Sequence, residues 1–193
     1  MHAVKHFLIF TLLAAICSDA GAAAEPRIIR DVKPLPVALN PDFEFRKTKL
    51  YSLTEKAPKG REKAGKSGEK NRGGSTKTRT VVQDASINFE REYRLHGAVT
   101  ELDQRQRVGD YFDFFWRAKR DADVTIRLEY RQEKLRAKVQ AQEFSYVNAR
   151  GTNSTEFKVV GDEFADDGRV IAWRCLIIAQ GVIVAENRSY MWE

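Results

Sequence analysis

Cysteine and histidine are nearly absent from this sequence, with 2 and 3 in 193 residues. Cys17, His2 and His6 fall in a segment that reads as a cleavable leader, so the processed chain keeps only Cys175 and His96. One cysteine excludes an intramolecular disulfide, and core packing alone must hold an exported domain together. One histidine excludes a zinc site built on several imidazoles and leaves no second histidine beside a Ser-His-Asp arrangement. His96, next to Gly97, reads as a turn residue, and Cys175, in the most apolar strand of the chain, as an inert core thiol. A glycine-rich phosphate loop is also missing, as is any apolar run near the ~20 residues that span a bilayer. The expectation is a chain with no catalytic constellation, no cofactor, no metal centre and no transmembrane segment.

What is present begins at the N-terminus. Lys5 precedes the apolar stretch from Phe7 to Ile16, and small residues follow to Ala22 and Ala24, a small-x-small cleavage pattern. Residues 1–24 therefore read as a signal peptide, which places the protein outside the cytoplasm, secreted or periplasmic. Processing as a lipoprotein at Cys17 is the secondary reading, disfavoured by the bulky Ile16 before it.

Positive charge is concentrated rather than spread. The formal net charge is +6, yet residues 43–80 hold 12 Lys or Arg against 4 Asp or Glu, while residues 81–193 hold 17 against 19. Residues 25–80, with Pro26, Pro34, Pro36 and Pro41 followed by a Lys/Gly-rich run, read as a flexible linker, disordered over 56–80 because so little apolar surface cannot offset the ordering entropy. Within it, Phe43 to Tyr51 alternates and reads as a short edge strand or a partner-binding segment. The basic run suits an anionic envelope surface. Nucleic acid is not expected, since residues 52–80 contain no aromatic side chain to stack on bases.

The folded domain is expected over 81–193. Ser86 to Leu95 reads as a first strand, with Ile87, Phe89, Tyr93 and Leu95 on one face and Arg91 the misfit. Thr100 to Arg107 follows as a polar connection that could hold one helical turn. Asp110 to Ala118 sets Phe112, Phe114 and Trp116 on one side and Tyr111 and Phe115 on the other. Lys119 to Asp123 reads as a turn, leading to the clean alternation of Val124, Ile126, Leu128 and Tyr130 and a hairpin with the preceding strand. After Gln132 a turn leads to a strand through Tyr146. Asn148 to Ser154 is a loop, Glu156 to Val160 a strand, and Gly161 to Gly168 a turn. The apolar run 168–179 is the central strand, with Ile171, Trp173, Cys175 and Ile177 inward and Arg174 on a solvated face. Val182 to Trp192 closes the fold across Gln180-Gly181. About seven short strands without a convincing long helix define an all-β, immunoglobulin-like antiparallel β-sandwich, with Trp116, Trp173 and Cys175 in its core.

The stretch Asp167-Gly168-x-Val170-x-Ala172-Trp173-x-Cys175 resembles the penultimate strand of immunoglobulin-like and fibronectin type III-like sandwiches, where an aromatic two residues before a cysteine follows an Asp-Gly turn. Phe157-x-Val159-Val160-Gly161-Asp162, Gly168-x-Val170-x-Ala172-Trp173-Arg174 and Ser189-Tyr190-x-Trp192 are similar to sequences of small uncharacterised secreted bacterial proteins. The resemblance covers residues 110–192 and implies a fold, not an activity. The functional expectation is an exported, non-enzymatic binding or structural accessory module of the envelope or extracellular space, with Tyr111 and Phe115 as the candidate face for a protein partner. The alternative is a small carboxylate-dependent enzyme, which would need two facing acids among Asp110, Asp113, Glu129 and Asp162 in a concave pocket. The acidic cluster Asp162, Glu163, Asp166 and Asp167 lacks the ligand spacing of a calcium loop and reads as turn chemistry.

Overall fold

The computed structural model describes residues 25–54 and 77–192, so the leader with Cys17 and most of the 56–80 run lie outside the described residues. The chain is mostly β and folds as a six-stranded antiparallel sheet in an all-β, sandwich-like arrangement. Its strands are β1 (Arg27–Ile29), β2 (Phe43–Leu53), β3 (Gly109–Gln132), β4 (Val139–Val160), β5 (Val170–Ala179) and β6 (Val182–Arg188). Among the described residues three helices, α1 (Lys77–Leu95), α2 (Glu101–Gln106) and α3 (Asp162–Asp167), accompany it.

The two halves of the arrangement are joined by β3 and β4, which run through both. The first half of β3 pairs with β2 and with residues 151–160 of β4; its second half pairs with β5 and with residues 139–146. Between them the register shifts twice, from Ala118 to Ala122 and from Ala122 to Val124. Bulges of this kind bend a strand and sharpen its twist. Lys119 to Asp123 is therefore not a turn, nor Asn148 to Ser154 a loop: the charged residues that suggested a turn project from a bend where the strand passes between layers. Phe112, Phe114 and Trp116 from one half and Val124, Ile126, Leu128 and Tyr130 from the other then share a single core. Trp173 of β5 meets Phe112 and Phe114 edge-on across that core, with centroids 6.1 and 5.4 Å apart. Asn187 of β6 reaches Thr48 of β2 at 2.7 Å, tying the layers together near their edges.

Trp116 and Cys175 are fully buried, and Trp116 donates its indole N–H to Thr155 at 3.0 Å. Trp173 is half-buried against the same core; of its neighbours on that face Cys175 and Ile177 are fully buried, and Ile171 is not. A bulge opposite Arg131 and Gln132 leaves Ile171 unpaired and 41% exposed, while Val170 packs against the core instead. Arg174 does not lie on a solvated face: it bonds the buried Glu129 at 2.7 Å and sits 5.1 Å from the ring of Trp192. That ring is reached because the chain leaves β6 at Arg188 and turns back rather than extending the strand to residue 192.

Two further expectations fail for identifiable reasons. Residues 86–95 belong to α1, not to a strand. Alternation over so short and polar a stretch does not exclude a helix, and the Glu90–Arg94 pair at i,i+4 is the helical signal. The linker expected over 25–80 is likewise too long: β1 and β2 belong to the sheet, and α1 begins at Lys77. Residues 36–40 lie along β6, with Ile183 N–H donating to Pro36 O, and the amides of Ala38 and Asn40 donating to Ile183 O and Val184 O. The open edge of β6 supplies the backbone partners that a proline-rich stretch would otherwise find in water.

Candidate functional site

α1 lies on the outer face of the β2–β3–β4 layer, and the groups beneath it carry the densest set of perturbed titrations among the described residues. Antiparallel register brings Tyr51, Tyr111 and Lys158 into one row and Lys49, Asp113 and Glu156 into the next. From α1, Arg94 descends onto both rows. It pairs with Glu90, with Asp113 at 3.4 Å and with Glu156, and its guanidinium lies 4.3 Å from the Tyr111 ring. Tyr111 in turn donates to Arg107 O at 2.5 Å, and Arg107 donates to the carbonyls of Arg94 and His96 at the end of α1.

Two neighbouring carboxyls are driven in opposite directions. Burial, followed by the Glu156 charge, raises Asp113 above the usual carboxylate range. Burial also acts to raise Glu156, but hydrogen bonds from Lys158 and Arg94 outweigh it and hold that carboxyl low. Burial pushes the Tyr111 and Tyr51 phenols up.

Beside this cluster, α1, α2 and the end of β2 enclose a cleft of about 760 Å³. Leu53, Leu95, Leu102 and Val108 form its apolar walls, while Arg91 and Arg105 bring two guanidiniums and Glu101 one carboxylate to the lining. Arg91 donates to Thr54 O at 2.7 Å, which fixes its stem across the cleft. The turn into α2 is set locally by Thr100, which accepts from Asp103 N–H while the Asp103 carboxylate accepts from Thr100 N–H, both at 3.1 Å. This is the helical turn expected between 100 and 107. Gly109 starts β3 at φ 149° against the backbone of Val159 and Val160.

The residues singled out from sequence do not converge. Tyr111 and Phe115 share a face, as alternation requires, but Tyr111 is 5% exposed beneath Arg94, and Phe115 is half-buried with the Lys49 ammonium 5.7 Å from its ring. Of the four acids, Asp110 accepts from Val170 N–H at 2.8 Å, Glu129 is buried among arginines, Asp162 is exposed on α3, and Asp113 faces Glu156. No two of them face one another. The acidic stretch is not a plain turn but contains α3, from which Glu163 accepts the Tyr130 hydroxyl at 2.5 Å and Asp167 accepts from Gln140 at 3.5 Å. Among the described residues no group of three His, Cys, Asp or Glu is placed to hold a metal ion. Burial raises the Cys175 thiol well above its ordinary value.

No protein-family model, curated protein or solved structure matches this chain. Arg91, Arg94, Arg105 and Glu156 were not legible as site residues, because each meets its neighbours through contacts between elements distant in sequence. The i,i+4 spacing of Glu90 and Arg94 was the one local clue.

Proposed function

We propose that the protein is an exported, non-enzymatic binding module of the cell envelope or extracellular space that takes its ligand in the cleft between α1, α2 and the end of β2. The cleft carries the reading: its volume of about 760 Å³ lies within the range of small-molecule sites, and apolar walls with a few charged groups are the usual composition of such sites. Export rests on the leader-like features of residues 1–24. A thermal-shift panel of glycan fragments, short peptides and single-chain lipids tests it on the processed chain. The expected result is a ligand that raises Tm in the native protein and not in Leu102→Asp, whose side chain is 65% exposed at the cleft. Hits indifferent to that substitution would place binding elsewhere and refute the reading.

Among the described residues no helix is long and apolar enough to cross a membrane. An anionic envelope surface suits the basic segment, of which Arg46, Lys47 and Lys49 are exposed on β2. Salt-sensitive binding to anionic but not zwitterionic vesicles is the expected behaviour, and equal binding to both would remove that role.

The enzyme reading retains one observation in its favour, the opposed shifts of Asp113 and Glu156, which is how paired carboxyls divide acid and base roles. Arg94 spans both groups and α1 covers them, so a substrate would have to displace it. Turnover abolished by Asp113→Asn with the fold retained would establish the enzyme.

A further inference from the structure

We infer that the outer face of the β2–β3–β4 layer docks on an anionic lipid surface, with Phe89 and Tyr93 of α1 entering the head-group region and the exposed cations of β2 and β3 facing the lipid phosphates. The inference rests on the anionic-surface reading above; it names that surface as lipid and assigns the face that meets it. The first support is the way α1 is turned. Its contacts with the protein are made by charged groups: Arg94 drops onto Asp113 and Glu156, Glu90 holds Arg94, and Arg91 reaches Thr54 O. Phe89 and Tyr93, one turn apart, stand clear of the sheet at 68% and 65% exposure. A helix lying on a globular core ordinarily turns its apolar side inward and its charges outward. Here the order is reversed, and two aromatic rings are left in water where a partner surface would bury them.

The second support is charge, which on this face is sorted by depth. On the outer side of β2, β3 and β4 the acids Glu44, Asp113 and Glu156 are half-buried, whereas Lys47, Lys49, Arg117 and Lys158 are exposed. Arg46 is balanced by Glu44 at 3.0 Å and Lys158 by Glu156 at 2.9 Å, so Lys47, Lys49 and Arg117 make the face positive. A membrane responds to that summed field and needs no vacant hydrogen-bond donor. On the opposite outer face of the fold Arg127 and Arg174 are instead paired with Glu143 and Glu129. The chain between β2 and α1 has the same sign as the proposed face: residues 56–76 contain 7 Lys or Arg against 2 Glu. It leaves β2 after Leu53 and enters α1 at Lys77, so both of its ends are tied to this layer.

The two supports act over different distances. A helix about 10–12 Å across sets the cations of the sheet roughly one Debye length behind a surface that touches Phe89 and Tyr93. Binding therefore has an aromatic part that salt leaves alone and an electrostatic part that salt weakens. Glu92, exposed on the turn between Phe89 and Tyr93, opposes the second part. A soluble polyanion would satisfy the cations and leave the rings in water, and a zwitterionic bilayer would do the reverse. A second copy meeting through this face would set like charges against each other.

The test measures partition of the full processed chain onto vesicles of phosphatidylglycerol in phosphatidylcholine, onto phosphatidylcholine alone and onto dextran sulfate. Binding to the anionic vesicles should weaken about fivefold or more in Phe89→Ser/Tyr93→Ser, and about tenfold in Lys47→Gln/Lys49→Gln/Arg117→Gln with a flatter salt dependence. It should tighten in Glu92→Lys. Brominated lipid should quench Phe89→Trp more than the native chain, whose tryptophans lie in the fold. These positions are exposed, and an unchanged Tm shows that each variant is folded; should either multiple variant not fold, Glu92→Lys and the Phe89→Trp quenching decide. Vesicle binding indifferent to the aromatic pair and without added quenching overturns the inference while leaving the anionic-surface reading in place. So does binding to dextran sulfate with none to vesicles, or a dimer in solution that Phe89→Ser/Tyr93→Ser dissolves. Failure to bind any of the anionic probes overturns both.

Discussion

Arg174→Ala should be among the more costly single substitutions in this domain, although its position in an alternating strand suggests a solvated residue. Its partner Glu129 has a side chain only 2% exposed and receives the Arg174 Nε at 2.7 Å, with Arg127 farther off at 3.6 Å. Removing one partner of a buried pair typically costs about 3–5 kcal/mol, because the remaining charge keeps its desolvation penalty. Arg127 stays behind but is shared with Glu143, which it meets at 2.5 Å, so the penalty here falls to about 2–3 kcal/mol. Loss of the guanidinium over Trp192, at 5.1 Å, adds about 0.5–1 kcal/mol. The expected total of about 3 kcal/mol lowers Tm by roughly 6–12 °C for a domain of this size. Urea unfolding of the wild type, Arg174→Met, Glu129→Met and the double variant isolates the pair. The two singles should cost strongly sub-additive amounts, with the double close to the better single, since an apolar pair of similar volume needs no desolvation. A cost below about 1 kcal/mol for Arg174→Ala, or strictly additive singles, would refute the argument and return Arg174 to the solvated face.

Glu163→Gln should flatten the pH dependence of stability. Burial holds the Glu163 carboxyl above its ordinary value in the fold, so its contribution is fully present below the unfolded value and is lost as pH rises through the folded one. Glutamine keeps an acceptor for Tyr130 and carries no charge, so urea midpoints at about pH 4.5 and about pH 7.5 should diverge less in the variant than in the wild type, and an unchanged slope would contradict the assignment. Gly109→Ala should cost more than about 2 kcal/mol by urea titration, because its Cβ would lie 2.1 Å from Val159 O and 2.7 Å from Val160 Cα at φ 149°; a neutral result would mean that the α2–β3 junction yields. Cys175, fully buried with its thiol pushed up, should react with a thiol reagent only on unfolding, and rapid modification in native buffer would show that β5 opens locally.

The core was largely readable because strand alternation records it directly. Phe112, Phe114 and Trp116, and then Val124 to Tyr130, announce their faces by period alone, and Gln180-Gly181 announces the β5–β6 hairpin. What alternation cannot record is whether two strands in sequence are two strands in space. Lys119 to Asp123 has the polarity of a turn and also that of an exposed bulge, and only the long-range register with β4 separates them. The same ambiguity put residues 86–95 in a strand: viewed as a helix, Arg91 ceases to be a misfit and lines the cleft, while Phe89 and Tyr93 turn outward to 68% and 65% exposure. The titratable cluster was invisible for a further reason. Asp113 and Glu156 are ordinary solvent-facing positions of their strands, and they become a site only when a helix from elsewhere lowers Arg94 onto them. The proline-rich stretch 34–41 reads as a tether because composition reports what a segment can do in water, not whether a bare strand edge is waiting for it.

The two long strands have a consequence for how the molecule comes apart. In a sandwich of short strands the layers are joined only through loops and can part by sliding. Here β3 and β4 belong to both layers, joined by the tight connection over residues 133–138. Peeling one layer away therefore pulls on the hydrogen-bonded ladder of the other. The bulges between Ala118 and Val124 confine any slip: a one-residue error in one half inverts the side chains of that half and is absorbed at the bend before it reaches the next. The bend thus acts as a clutch between two ladders cut from a single hairpin, letting each find its own register while neither can leave the other.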